Sequence, residues 1–465
     1  MDLPIILTPF FPRYIWMEEV IYSHIPIATM ITAFLVLAPI LEYIGWKRHD
    51  LRWDRLARSL VFFVMILYSP GAALGTGIPV FIIGLYPEFW ARWSNLFFWP
   101  LIIQFIFFTI DVVFLFFFYY LPWDRMMNRK RLHIFFGGCT ALFGLLIQAV
   151  WDGAGSYTLT PGAPFPNATE AVGWSAAAFF NPSYPYLFFH RFFGNISYTM
   201  LLVGGIFALK YLRNKKPFEK KYYGWASDVT FSLGFLAFFA MPLIGWGYAK
   251  IIQSKAPVAF HAIMGGHVSA FFMAKMGLII LFLSIGAVYL FKRHRDKVPL
   301  LIAVSLAFGG LYLVLSLHPA LDWLGNASLW RVAYTVLILG FLAWLWYLRK
   351  QGKPITQHRW PWFLFIAGMA AFFTFALGGF VRERSKSPYT VYLQHEKPET
   401  KQEERDRFLV YNKCVGCHHI NVKDILKLEN IDWKERVENE RRRPGVDLTD
   451  EETARIIRYL EEHAP

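Results

Sequence analysis

Ten apolar stretches, each near the roughly 20 residues that a helix needs to cross the hydrocarbon core of a bilayer, dominate this chain. They run through residues 19–44, 57–84, 95–121, 132–151, 188–212, 226–250, 263–291, 298–316, 330–348 and 361–381. The expected fold class is therefore all-α, a polytopic transmembrane helix bundle of about ten spans embedded in membrane lipid. Composition agrees: 56% of the 465 residues are hydrophobic and 19% aromatic, above the usual soluble mixture.

The loops between these stretches alternate in charge. Those after spans one, three, five, seven and nine carry Lys47-Arg48, Arg125 with Arg129-Lys130-Arg131, Arg213 with Lys215-Lys216 and Lys220-Lys221, Lys292-Arg293 with Arg295 and Lys297, and Arg349-Lys350 with Lys353. Loops such as Asp152 to Pro185 and His318 to Ser328 carry almost no basic residues. By the positive-inside rule the first set faces the cytoplasm, which places both termini on the outer face. The net charge of +14 is thus accounted for by topology, and no nucleic-acid partner is expected. Met1 to Trp16 shows no basic stretch, apolar core and small-residue cleavage site in succession, so the first span is expected to serve as its own insertion signal.

Composition changes abruptly at Val381-Arg382-Glu383-Arg384-Ser385-Lys386. The expected division is a membrane domain over 1–381, a linker over 382–400 and a small extramembrane domain over 401–465, near the lower size limit for an independent core. Its end, Leu448 to Leu460, reads as an amphipathic helix with apolar Ile456, Ile457 and Leu460 and a capping box from Thr449 to Glu452. Within it lies Cys414-Val415-Gly416-Cys417-His418. Cys-x-x-Cys-His is the attachment pattern of a c-type haem: the two thiols add to the porphyrin vinyl groups and the histidine ligates iron. Zinc needs two more ligands at similar spacing, which the tail does not clearly offer, and neither zinc nor a working dithiol explains the adjacent histidine. The expectation is covalent haem c on Cys414, Cys417 and His418 in a cytochrome c-like helical domain on the outer, periplasmic face. No Met follows Met369, so the iron is either five-coordinate or takes His419, His463 or a partner's residue. Cys139, in an apolar helix, reads as a buried hydrophobe.

Ionisable residues inside spans are costly and default to a functional reading. His24 in span one, His190 opening span five, and His261 and His267 at the start of span seven share one depth, on the side of the tail haem. His190 has Arg191 beside it for a haem propionate, and Met264, Met273 and Met276 offer soft iron ligands. In span three Gln104 and Asp111 are seven apart and fall on nearly the same face. Asp111 is either a neutral acid at a helix contact or a member of a proton relay.

These residues resemble subunit I of the cytochrome bd-type quinol oxidases over roughly the first 290 positions. The resemblance is carried by the segment from His24 through Leu41-Glu42, by Pro100-Leu101-Ile102-Ile103-Gln104 on to Trp123-Asp124-Arg125, by Gly155 to Gly162, and by Phe189-His190. It implies a haem at an oxygen-reducing centre on His24, and a low-spin haem b between His190 and Met264. The chain departs from the family where Gln104 replaces a glutamate and Ala262 an arginine. No Gly-Arg-Gln-Pro-Trp segment is present, and Ile251 to Phe260 is too short for the family's external quinol loop.

The expected function is membrane-bound respiratory electron transfer in a bacterial cell membrane, between the outer-face haem c and haem b, with oxygen reduced at a further, high-spin haem near His24. An alternative is a relay without oxygen chemistry that links a quinone pool or partner complex to periplasmic cytochromes. A third is a membrane anchor for the haem c domain. A partner membrane subunit and a cytochrome or quinone redox partner are expected.

Overall fold

The computed structural model describes residues 13–160, 162–163, 173–264, 268–293, 298–315, 359–385, 431–442 and 448–463, with 339–340, 342–347, 350, 402, 406, 409–410 and 413–414 besides. Every regular element among the described residues is helical. In chain order the α-helices are α1 (Arg13–Arg48), α2 (Leu51–Leu85), α3 (Pro87–Leu96), α4 (Phe98–Val113, continued by a π-helical Phe114–Tyr120), α5 (Lys130–Tyr157), α6 (Ala176–Phe179), α7 (Tyr184–Arg213) and α8 (Pro217–Phe238). Then follow α9 (Ala240–Lys255), α10 (Pro257–Met264), α11 (Ser269–Arg293), α12 (Val298–Leu315), α13 (Trp360–Ser385), and in the tail α14 (Trp433–Arg441) and α15 (Asp450–His463).

Among the described residues eight stretches are long and apolar enough to cross a bilayer, and each overlays an expected span. The eighth expectation coincides with α12, and the ninth, 330–348, lies mostly outside the described residues. The fold is an all-α polytopic bundle, and the chain is an integral membrane protein. Its outward surface is apolar, with Phe105, Phe117, Ile66 and Val80 all exposed, as lipid contact requires. Contact between α7 and α13 is close enough that a Cβ at Gly368 would stand 2.6 Å from the Leu201 carbonyl oxygen.

Three details differ from expectation. The sixth span is two helices, α8 and α9. Pro242 sits four residues after Phe238, where its ring excludes the carbonyl hydrogen bond that would continue α8. Met264 does not begin the seventh span but ends the separate α10, one residue of turn after α9. And α13 runs on to Ser385, past the expected boundary at 381, because its charged end is held inside the bundle: Arg382 Nη2 donates to the Gly155 carbonyl at 3.1 Å and Arg384 Nε pairs with Glu18 at 2.9 Å.

The tail has a small core of its own, in which Val410, Trp433 and Val437 meet Ile456, Tyr459 and Leu460, with Cys414 packed against it. The capping box forms as the sequence predicts: Thr449 N–H donates to Glu452 Oε2 at 3.0 Å, and Glu452 N–H to Thr449 Oγ1 at 3.2 Å. Buried Asp406 accepts from Arg455 Nε at 2.8 Å and Arg458 Nη2 at 3.2 Å. Burial pushes the Asp406 carboxyl up, but these guanidinium bonds outweigh it and hold it below the usual carboxylate range. Its stabilisation is therefore complete above the unfolded pKa of about 3.9 and is lost as pH falls through the lower folded value. Amide exchange across α15 should accelerate on acidification to that region in the native sequence but change less in Asp406→Asn. Equal acceleration in both would remove Asp406 as the cause.

Candidate functional site

Helix α7 starts beyond Ser183, with Pro185 in its first turn, where a missing N–H costs nothing. Its first two turns present His190 and Arg191 to a large cavity that is closed by α9, α10, α11 and α13. His190 stands against Gly245 of α9, where a Cβ would be 3.5 Å from its Cε1. The ring makes no hydrogen bond among the described residues, and its Nδ1 is buried without a partner. A histidine in a span is expected to be satisfied by a neighbour, so an imidazole left open toward a cavity is ready to ligate.

The cavity lining also offers sulfur. Met264 at the end of α10 and Met276 in α11 both line the cavity and are 2% and 4% exposed. Met273, the other thioether singled out from the sequence, is 40% exposed and faces away. Tyr248 and Thr374, also in the wall, have buried hydroxyls with no hydrogen-bond partner among the described residues. Such donors suit an occupant that has polar atoms of its own.

Arg191 is not idle. It pairs with Asp152 of α5, whose carboxylate is fully buried and also accepts from Gln148 Nε2 at 3.1 Å. Gln148 Oε1 in turn accepts from Asn195 Nδ2 at 2.9 Å. Asn181 Nδ2 donates to the Gly153 carbonyl at 3.0 Å and to Ser156 Oγ at 2.9 Å. This belt, with the Arg382 and Arg384 contacts, fixes α1, α5, α7 and α13 around one end of the cavity.

His24 does not line that cavity, although its neighbour Ile25 does. Its ring lies between α1 and α2, with Nδ1 3.0 Å from the Gly71 carbonyl oxygen, and Gly75 leaves it room: a Cβ there would be 2.9 Å from Cε1. Arg191 is near enough to act on His24 electrostatically. The same stripe of α2, one turn away, carries Tyr68, whose hydroxyl donates to Asp111 Oδ2 at 3.3 Å. Asp111 is buried and its Oδ1 has no partner among the described residues, whereas Gln104 on α4 is half-buried. The structure thus brings His190, Arg191 and Met264 to one cavity and sets His24 and the Asp111 partner Tyr68 along one stripe of α2. His267, Cys417 and His418 lie outside the described residues. Of the alternative tail ligands, His463 is stacked on Tyr459 of its own helix.

A sequence profile of the family described as cytochrome bd terminal oxidase subunit I matches residues 16–281. The chain belongs to that family. The matched segment holds His24, Asp111, His190, Met264 and Met276, while α13, which supplies one cavity wall, lies beyond it. No curated protein matches the chain at a significant level. Among solved structures, the bd oxidase from Geobacillus thermodenitrificans is similar over 86% of this chain and 93% of its own, at 18% identity and a TM-score of 0.58. At that identity the likeness speaks for the fold.

Sequence reading missed two buried polar residues of the site region, Lys275 and Asp152, and two of a separate buried cluster, His133 and Glu42. Lys275 is a lone cation in an apolar span and was visible as such. Asp152 read as a loop residue, although it closes α5. His133 fell within the fourth expected span, 132–151, but was not singled out, although it is fully buried. Glu42 registered only as part of a resembling segment, although it accepts from three side chains.

Proposed function

We propose that the chain is the haem-carrying subunit of a respiratory membrane oxidoreductase. Electrons pass between a c-type haem on Cys414, Cys417 and His418 and a haem b in the His190 cavity, and oxygen is reduced at a further haem beside His24. The observation that carries this reading is the open imidazole of His190 in a cavity that buried thioethers also line, a donor set suited to low-spin iron. Haem, when bound, supplies one-electron carriage; the chain supplies ligands, orientation and proton access.

In this reading His190 and Met264 would hold the iron of the haem, and Asp152 holds Arg191 in place rather than leaving it free for a carboxylate. Tyr68 steadies a proton-carrying Asp111 beside the helix that shelters His24. The tail haem lies on the outer face, as loop charge predicts, the residues 1–381 and 401–465 forming the two functional parts. Family membership supports a partner membrane subunit and a quinone pool.

A second reading, a relay without oxygen chemistry, draws on the one-residue turn at Ala256 between α9 and α10, which leaves no long external segment for a quinol. Pyridine haemochrome spectra and carbon monoxide separate the two. Both b- and c-type haem are expected, with CO shifting a b-type band of the reduced protein. CO acting on the c band alone would leave only the relay, and c-type haem alone would leave only an anchor.

A further inference from the structure

Two cations share one indole where α1 ends and α5 begins, at the end of the bundle that carries the basic loops. Lys47 Nζ stands 5.8 Å from the centre of the Tyr43 ring and 4.8 Å from that of Trp46, and the Arg131 guanidinium carbon lies 5.4 Å from that of Trp46. Both cations are exposed, and neither makes an ion pair among the described residues. The acids that flank them in sequence are committed elsewhere: Asp50 to Arg52, Asp124 to Arg58, and Glu42 and Asp54 to Lys130.

Deeper in the bilayer the same two helices turn apolar side chains outward. Ile40 and Tyr43 precede Lys47 on one face of α1, and Phe135, Gly138 and Leu142 follow Arg131 on one face of α5. Ile40, Tyr43, Phe135 and Leu142 are all exposed. The helices touch at Pro39 and Gly137, where a Cβ on the glycine would stand 2.9 Å from Pro39 Cβ. Packing therefore explains Gly137 but not Gly138, whose Cβ would meet nothing within 4 Å. That missing side chain leaves a notch on the exposed side of the seam.

From the bilayer toward water this face runs apolar, aromatic, cationic, which is the order of acyl chain, ester and phosphate in a phospholipid. Aromatic rings suit the membrane interface, and cations beside it attract anionic headgroups. We propose that the face binds one anionic phospholipid, its headgroup on Lys47 and Arg131 and an acyl chain along the notch at Gly138. A zwitterionic headgroup brings a cation of its own and gains less. The site is independent of the His190 cavity and of any haem.

Titration of the purified full chain with dioleoylphosphatidylglycerol or dioleoylphosphatidylcholine, read by native mass spectrometry, tests it. The phosphatidylglycerol should be retained in preference. Lys47→Gln and Arg131→Gln should each weaken its binding about fivefold, and the double variant about thirtyfold, the usual effect of one and of two interfacial cations, whereas Lys47→Arg should keep it. Gly138→Leu should weaken it with the charge unchanged, and Lys215→Gln, which removes a cation from the basic loop between α7 and α8, should change nothing. Equal retention of the two lipids, or equal binding by the native protein and the double variant, would overturn the proposal, as would unchanged binding in Gly138→Leu. A loss in Lys215→Gln as large as in the other single variants would do so too, because the attraction would then belong to the whole basic face. Binding that appears only after a copurifying membrane subunit is dissociated would assign the face to that subunit and likewise overturn the lipid site.

Discussion

Replacing Lys130 with Met is expected to cost the protein about 3–5 kcal/mol of stability, the usual penalty for removing one partner of a buried ion cluster. Lys130 Nζ, at the start of α5, lies 2.7 Å from Glu42 Oε1 of α1 and 2.6 Å from Asp54 Oδ1 of α2. His133 Nδ1 meets the same Glu42 oxygen at 2.6 Å, and its Nε2 donates to the Tyr119 carbonyl at 2.8 Å. Glu42 Oε2 accepts from the Tyr119 hydroxyl at 3.1 Å. One proton lies between His133 and Glu42 whichever of them holds it, so two carboxylates are met by one ammonium and one imidazole. Glu42, His133 and Tyr119 are fully buried. Removing the ammonium leaves Asp54 with no cation and Glu42 with half its support.

The same cluster sets the prediction apart from a simple loss of packing. In Lys130→Met/Asp54→Asn the orphaned carboxylate is gone and the Glu42–His133 pair persists, so the double variant should be more stable than the sum of the single changes implies. Unfolding in mixed micelles, followed by tryptophan fluorescence, measures all three. Additivity within about 0.5 kcal/mol, or a single-variant cost below about 1 kcal/mol, would show that the cluster is not coupled.

How much of this was legible beforehand depends on which physical signal each residue sends. Span positions were readable because lipid imposes length and apolarity directly, and the stretches around α1, α2, α5, α7 and α13 match to within a few residues at most ends. His190 was readable because an ionisable group in a span is costly. Met264 against Met276 was not, because both sit in apolar runs and only the fold shows that both are buried in the same wall. Arg191 looked available for a carboxylate; its partner Asp152 is 39 positions away in sequence, a pairing that no local pattern encodes. The Glu42, Asp54, Lys130 and His133 cluster joins three helices in the same way. Pro242 was in plain view, yet an apolar run of sufficient length hides the break that it makes.

Replacing His190 with Ala is expected to abolish the low-spin b-type absorption while leaving the c-type signal intact. The ring is the only imidazole among the described side chains lining the cavity, and with it gone the cavity has no imidazole to offer. The second ligand can be sorted in the same experiment. Met264→Leu keeps the volume of the wall and removes one thioether; it should convert the b haem to a high-spin form that binds CO. Should Met276→Leu do so instead, the ligand belongs to α11, and Lys275 next to it gains a direct hold on the iron's surroundings. Met273→Leu, on the exposed side of α11, should change nothing. A low-spin b spectrum that survives His190→Ala unchanged would refute the assignment of His190, because the described side chains lining the cavity include no second imidazole.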